Sequence, residues 1–378
     1  MSDEDHPEPD RIEGAPHPRD TARLFGQAAA EAEFLEAFND RRLHHGWMIT
    51  GPRGTGKATL AWSIARFLLA TPDPIEEDGG MFGDALAPAR TDTLAISPDH
   101  PVSRRMAAGA EPGLFVLRRG ISDTTGKLKA QITVDEARRL KGFFSLSAAD
   151  GGRRVVIVDA ADELNTSAAN ALLKLLEEPP ARTTLLLVTH QPSALLPTIR
   201  SRCRVLRLRP LGDQDMQAAL AQAGIAVEDP EKLSALAEGS VGSAVQLANL
   251  KGLALYAEWV AILGSLPRLD RARAQALADA AALRGAEDRR ALLLALLDQA
   301  LARLARTGAT GQPPFPEAAR GEAEAFTRLA PTPWEARLWA AEAQEIGARL
   351  RHGTAVNLDP AALILDTVFR LQKAAGGG

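Results

Sequence analysis

The feature that most constrains the fold is a glycine-rich loop with the spacing G-x-x-x-x-G-K, Gly51–Lys57. It follows a short apolar segment, His45–Thr50, and precedes an apolar helical segment that runs from Lys57 to about Ala70. Glycines let backbone N–H groups approach phosphate oxygens, and the N-terminus of the next helix favours negative charge. This order predicts a nucleotide phosphate loop, and a glycine turn with a chance lysine is the weaker alternative. Its candidate residues are Gly51, Gly54, Thr55, Gly56, Lys57, Ala58 and Thr59.

Apolar strands and helices alternate through the N-terminal half. Helices are predicted at Thr133–Ser147, where Thr133 and Glu136 have capping-box spacing, and at Thr166–Glu178, which stops at two prolines. Strands separated by helices indicate a parallel α/β sheet. The predicted strands after the first are Leu114–Leu117, Arg154–Val158, Thr184–Thr189 and Val205–Leu208.

Changes in composition divide the chain into segments. An acidic, proline-rich stretch, residues 1–20, predicts a flexible tail, and the α/β domain is expected over 21–210 with an irregular insert at 71–112. A small helical domain (211–264) and a fully helical domain (265–378) follow. Leucines from Leu292 to Leu304 cover most of one helix, which predicts burial in a bundle core or, as the alternative, against another subunit.

Composition excludes several classes of protein. The net charge of −4 argues against a generally basic nucleic-acid-binding chain. Cys203 is the only cysteine, so neither an internal disulfide nor a cysteine-rich zinc site is expected. No stretch has the pattern of a membrane span or a signal peptide. A reducing, cytoplasmic location is therefore predicted.

Two groups that phosphoryl transfer needs are missing near the loop. Ala58 stands where a hydroxyl normally ligates Mg²⁺, and Thr59 is one helix position away. Asp159, at the end of a predicted strand, is a candidate for a degenerate magnesium site, but Ala160 follows it where a glutamate would orient the attacking water. Asp162 and the adjacent Glu163 come too late for that role and are interpreted as helix N-terminal or solvated acids. Nucleotide binding, by ATP or ADP, is expected to be weak.

Three sequence motifs carry a family resemblance. The run Asn170–Pro180 (NALLKLLEEPP), the strand Thr184–Thr189 and the segment Ile199–Cys203, which ends in Ser-Arg-Cys, together resemble the bacterial clamp-loader ATPase family over about residues 24–250. The resemblance implies an AAA+ P-loop domain, a helical lid domain at 211–264 and an all-α collar domain at 265–378.

Within that family, the missing groups favour the delta-prime type over the gamma/tau type. Gamma/tau subunits carry an intact ATP site and a four-cysteine zinc module, whereas delta-prime subunits often have a degraded site. Ala58, Ala160 and the single cysteine fit the second type, so no zinc is expected. Family ATPases also carry a sensing arginine three residues after a Gly-Ser pair; Gly239 and Ser240 place Gly242 there.

The resemblance assigns Arg202 the role of an arginine finger that acts in trans, on the γ-phosphate held by a neighbouring gamma/tau subunit. A planar guanidinium suits the charge that develops on a transferred phosphoryl group; a solvated surface arginine is the alternative. Cys203 is expected to be a small buried side chain. The neighbouring basic residues are interpreted as a solvated strand face, and DNA contact is the weaker alternative. These residues are Arg200, Arg204, Arg207 and Arg209.

The implied partners are gamma/tau and delta subunits and, through the complex, the sliding clamp and primed DNA. The implied function is a delta-prime subunit of the DNA polymerase III clamp loader, with little ATPase activity and no polymerase active site of its own. The alternatives are a catalytically active gamma/tau-like ATPase, which Lys57 and Asp159 favour, and an unrelated helicase or remodeller, which would need its own catalytic glutamate.

Overall fold

The computed structural model describes residues 8, 11–72, 90–122, 124, 126–145 and 152–376. The chain forms two compact units: residues 1–223 with 240–242, and residues 224–239 with 243–378. The predicted division of the helical half at residue 264 remains a prediction.

A five-stranded parallel sheet lies in the first unit, in the order β2-β3-β4-β1-β5. The predicted strands are confirmed, each end within one residue. Their bounds are β1 Gly46–Thr50, β2 Leu114–Arg118, β3 Arg154–Asp159, β4 Thr183–Thr189 and β5 Arg204–Arg207.

Helices cover both faces of this sheet. On β3, Val155 and Ile157 belong to one core together with residues of α1, α2 and α3. Val156 and Val158 belong to the other core, together with residues of α4, α5 and α6. Burial on both faces explains why the strands are continuous apolar runs. The helices of this unit are α1 Ala28–Asn39, α2 Lys57–Ala70, α3 Pro101–Ala107, α4 Val134–Ser145, α5 Thr166–Glu177, α6 Pro197–Arg200 and α7 Asp213–Gln222.

Two segments are more ordered than the sequence predicts. The insert at 71–112 contains α3, and Val102 and Met106 on that helix are buried in the core. In the predicted tail, His17 is buried edge-on to the ring of Trp62, and Glu8 pairs with Arg118 at 2.9 Å. The predictions of an irregular insert and a flexible tail are therefore wrong for these parts. Residues 1–7, 9–10 and 73–89 lie outside the described residues.

The second unit is helical throughout its described length. Its longest helix buries the leucines Leu293, Leu296, Leu297, Leu301 and Leu304, which agrees with the bundle-core interpretation. The helices are α8 Pro230–Ala237, α9 Val241–Asn249, α10 Gly252–Ser265, α11 Arg271–Ala282, α12 Glu287–Thr310, α13 Glu322–Leu329, α14 Pro333–Ala355 and α15 Pro360–Gly376. Within the residues described, no helix is long and apolar enough to cross a membrane.

A buried polar network joins α10, α12 and α13. The carboxylate of Glu322 accepts hydrogen bonds from the Tyr256 hydroxyl (2.6 Å) and from Nε (2.6 Å) and Nη2 (3.2 Å) of Arg303. The backbone N–H of Ala318 adds a fourth hydrogen bond at 2.7 Å. Burial alone would lower the pKa of Arg303, but the hydrogen bonds and charge of Glu322 raise it above its ordinary value. The guanidinium therefore stays charged inside the bundle.

Candidate functional site

The phosphate loop opens at the carboxyl edge of the sheet. In the strand register, Thr50 at the end of β1 pairs with Thr189 at the end of β4, and Asp159 at the end of β3 pairs with Val188. Open α/β sheets bind ligands at this edge. The predicted loop residues and Asp159 therefore lie along one edge, as the sequence pattern requires.

The loop has the backbone of a tight glycine turn. Gly54 and Gly56 have φ values of 71° and 93°, and Gly56 is the N-cap of α2. Lys57 is buried, and its ammonium group donates hydrogen bonds to the carbonyl oxygens of Gly51 (2.8 Å) and Pro52 (2.5 Å). The hydroxyl of Thr55 also donates to Pro52, at 2.9 Å. A phosphate would therefore compete with the loop's own carbonyl oxygens for the Lys57 ammonium.

Residues from elsewhere in the first unit pack against the loop glycines. The backbone N–H of Gly242 donates to the carbonyl of Gly54 at 3.2 Å. A Cβ on Gly54 would lie 2.2 Å from Oγ of Ser240, and a Cβ on Gly56 would lie 2.4 Å from Cδ1 of Leu24. The position expected for a sensing arginine, Gly242, thus contributes only backbone, which hydrogen-bonds to the loop.

Lys57 and His190, at this edge of the sheet, both have pKa values well below their ordinary ones. Burial lowers the pKa of Lys57 to about 8, against the opposing effect of Asp159 and Asp162. Burial, and next the charge of Lys57, lower the pKa of His190 to about 4. The imidazole is therefore neutral at pH 7. Sequence reasoning missed His190; its position directly after the strand Thr183–Thr189, next to β1, was the available signal.

The acids after β3 have structural partners. Asp162 lies in a 3-10 helix (Ala161–Glu163), and its Oδ1 accepts the backbone N–H of His190 at 2.9 Å. Glu163 pairs with Arg119 at 2.8 Å and more loosely with Arg53 at 3.9 Å. The interpretation as helix N-terminal acids agrees with their position in the first turn of this 3-10 helix. The alternative of solvated acids does not hold, because each one ties two segments of the carboxyl edge together. Ala160 is buried, so no carboxylate stands beside Asp159 at that position.

The groups at this edge suit a phosphate better than its metal ion. The free amides at the start of α2 and the cation of Lys57 are the usual partners of phosphate oxygens. Ala58, however, packs against the apolar core and has no side-chain oxygen to offer a cation. Among the described residues, no group of three or more His, Cys, Asp or Glu side chains could hold a metal ion.

Arg202 lies at the opposite, amino edge of the sheet. It follows α6 and precedes β5, whose first residue, Arg204, pairs with Trp47 near the start of β1. From Gly46 to Gly51 is five residues, so at about 3.3 Å per residue the two edges are roughly 16 Å apart. The Arg202 side chain, which is 38% exposed, contacts Glu177 and the carbonyl of Thr198 instead of the phosphate loop.

The residues next to Arg202 differ from it in burial and in the contacts that they make. Cys203 is half-buried rather than buried as expected. Burial still raises the pKa of its thiol to about 12, so the thiol stays protonated. Arg204 pairs with Glu33 at 3.6 Å and lies over the ring of Trp47. Arg207 is exposed on β5. DNA contact by this basic group remains a prediction.

Residues 26–212 match the family model described as "DNA polymerase III, delta subunit". This region belongs to that family. A DNA polymerase III subunit delta' of Pseudomonas aeruginosa is 36% identical over 208 residues, which are 55% of this chain and 56% of the relative. The Escherichia coli subunit delta' is 32% identical over 218 residues (57% and 58%). The gamma/tau subunit of Mycobacterium bovis is 30% identical over 216 residues (56% and 33%).

The family match covers the phosphate loop, Asp159 and Arg202, while Gly242 and the second unit lie beyond it. The chain spans little more than half the length of the delta' relatives given above. The resemblance to clamp-loader subunits of the delta-prime type, inferred from the motifs, is thereby confirmed.

Proposed function

We propose that this chain is a delta-prime-type subunit of a DNA polymerase III clamp loader and that it lends Arg202 to an ATP site on a neighbouring gamma/tau subunit. Together with a delta subunit, the assembly would load the sliding clamp onto primed DNA with energy from ATP. The chain itself would bind nucleotide weakly and hydrolyse little of it.

One observation carries the proposal: the exposed guanidinium and the phosphate loop stand at opposite edges of one sheet. Because the two edges are separated by roughly 16 Å, Arg202 cannot serve its own loop. An arginine that acts on phosphate from this position must act on a second molecule. Ala58 and Ala160 support the same conclusion, since the chain's own loop lacks two groups for hydrolysis.

The test is reconstitution with gamma/tau and delta subunits and measurement of DNA-stimulated ATP turnover. Arg202→Ala should lower turnover at the adjoining ATP site by about 10³-fold, because a finger in trans contributes that much or more. Arg202→Lys should not restore it, since an ammonium lacks the planar fork. Arg200→Ala is the matched control, because Arg200 is exposed two residues away and carries the same charge.

Assembly, measured by size-exclusion chromatography, should be the same in all variants. Unchanged turnover in Arg202→Ala would remove the finger assignment. The competing function, an autonomous gamma/tau-like ATPase, is supported by Lys57 and Asp159 and by the gamma/tau relative. It predicts brisk Mg²⁺-dependent hydrolysis by the purified chain alone that Lys57→Ala abolishes.

A further inference from the structure

The guanidinium of Arg202 is held by two different elements of its own chain. Its Nη2 lies 3.1 Å from Oε1 of Glu177, and its Nη1 donates to the Thr198 carbonyl at 3.1 Å. A longer contact from Nη1 reaches the Ser201 hydroxyl at 3.5 Å. Nη1 thus contacts two acceptors of its own chain, while Nη2 faces the Glu177 carboxylate as an ion pair.

Glu177 stands on a firmly held support. It is the last residue of α5, and the preceding Leu176 is buried in the core. The ring of His45 lies 3.0 Å, at Nε2, from the carbonyl oxygen of Leu176, just ahead of β1. A Cβ on Gly46 would lie 2.9 Å from Cδ2 of Leu176, so this helix end packs directly on the strand. The Glu177 backbone therefore has little freedom to move.

Thr198 is equally well fixed. It belongs to the short helix α6, whose next residue, Ile199, is fully buried in the same core as Leu176. A carbonyl and a carboxylate on two packed elements thus define the direction of one exposed side chain. An arginine loses rotamer entropy when it is fixed, and part of that loss is met here before any partner binds.

We infer that Glu177 is a positioning residue for Arg202: its carboxylate orients the guanidinium toward a phosphate on a neighbouring molecule. This inference rests on the proposed function of Arg202. Both side chains are about two-fifths exposed, 38% and 43%, and ion pairs this exposed contribute little to stability. The pair therefore directs the side chain without holding it too tightly to engage a phosphate.

The experiment measures kcat and KM for ATP in the reconstituted, DNA-stimulated assembly. Glu177→Ala should lower kcat about tenfold and leave KM unchanged, because a guanidinium displaced by even 1 Å loses much of its effect. Glu177→Gln should restore only part of kcat, since its amide oxygen can accept an N–H of the guanidinium but the charge attraction of the ion pair is lost. Glu178→Ala is the control: Glu178 is the exposed neighbour on the same turn.

A double-mutant cycle separates this inference from the proposal on which it rests. In the Arg202→Ala background, Glu177→Ala should cause no further loss, because its effect passes through Arg202. If Arg202→Ala lowers turnover but Glu177→Ala matches the wild type, or lowers turnover equally in both backgrounds, the positioning role is wrong and the finger stands. If Arg202→Ala leaves turnover unchanged, both fall.

Discussion

Replacing Glu322 with alanine should loosen the helices that its carboxylate joins, α10, α12 and α13. The substitution removes the acceptor of four hydrogen bonds and leaves Arg303, whose residue is 6% exposed, without a counter-charge. Breaking a buried ion pair by removing one partner costs about 3–5 kcal/mol. Since about 1.4 kcal/mol is a factor of ten, local opening should become about 10²- to 10⁴-fold more frequent.

Amide hydrogen exchange is the suitable assay, because it reports opening helix by helix in a chain with two compact units. Amides of α12 and α13 in Glu322→Ala should exchange at least about 10²-fold faster than in the wild type. Amides of β1 and β4 should keep their rates, because these strands belong to the other compact unit. Glu324→Ala is the control, since Glu324 is exposed on the same helix, α13.

A second variant tests the reason for the effect. Exchanging Tyr256, Arg303 and Glu322 together for Phe, Met and Leu removes the charge along with its partner. Buried ion pairs replaced by apolar side chains of similar volume are often neutral or stabilising, so this triple variant should regain most of the protection. Equal exchange in Glu322→Ala and Glu324→Ala, or a triple variant weaker than Glu322→Ala, would refute the reasoning.

Two further predictions concern the phosphate loop. The pKa of Lys57 is about 8 in the folded chain and 10.5 ordinarily, so between those values the unfolded chain binds more protons. The free energy of unfolding should therefore rise with pH across this window, and more steeply in the wild type than in Lys57→Met. Urea unfolding of both proteins at pH 8, 9 and 10 measures this difference. Parallel plots of unfolding free energy against pH for the two proteins would contradict it. Gly54 and Gly109 have similar positive φ values, 71° and 66°, but a Cβ on Gly109 meets open space, whereas one on Gly54 would lie 2.9 Å from the backbone N of Gly242. Gly109→Ala should cost about 1–2 kcal/mol through backbone strain and Gly54→Ala about 1–3 kcal/mol more through overpacking; equal urea midpoints would show that the loop has room to spare.

The strands were predictable because a strand that is buried on both faces of the sheet requires an unbroken run of apolar residues. β3 shows this most clearly, since the four residues from Val155 to Val158 are all apolar and alternate between two cores. Glycine spacing likewise located the loop, because a tight turn ahead of a helix demands those residues at those positions.

The remaining features depend on residues that are distant in sequence. Glu8 meets Arg118 across 110 positions, so an acidic, proline-rich stretch gives no local sign that it packs. Helix α3 is seven residues long, and its cap, His100, is an unusual one. His190 is a single histidine after a strand, and only the strand order places it beside Lys57. The Glu177–Arg202 pair joins the end of α5 to the second residue after a four-residue helix, a contact that no local sequence spacing predicts.

The Arg202 guanidinium and the Lys57 loop lie at opposite edges of the sheet. This arrangement limits how domains of this kind can assemble. A subunit with an arginine at one edge and a functional nucleotide site at the other can assemble head to tail, into a closed ring or an open filament. A subunit that keeps the arginine but lacks catalytic groups at its own phosphate loop needs a partner only on its arginine side. If Arg202 acts on a neighbouring subunit as proposed, this chain would stand at one end of such an assembly and limit its number of subunits.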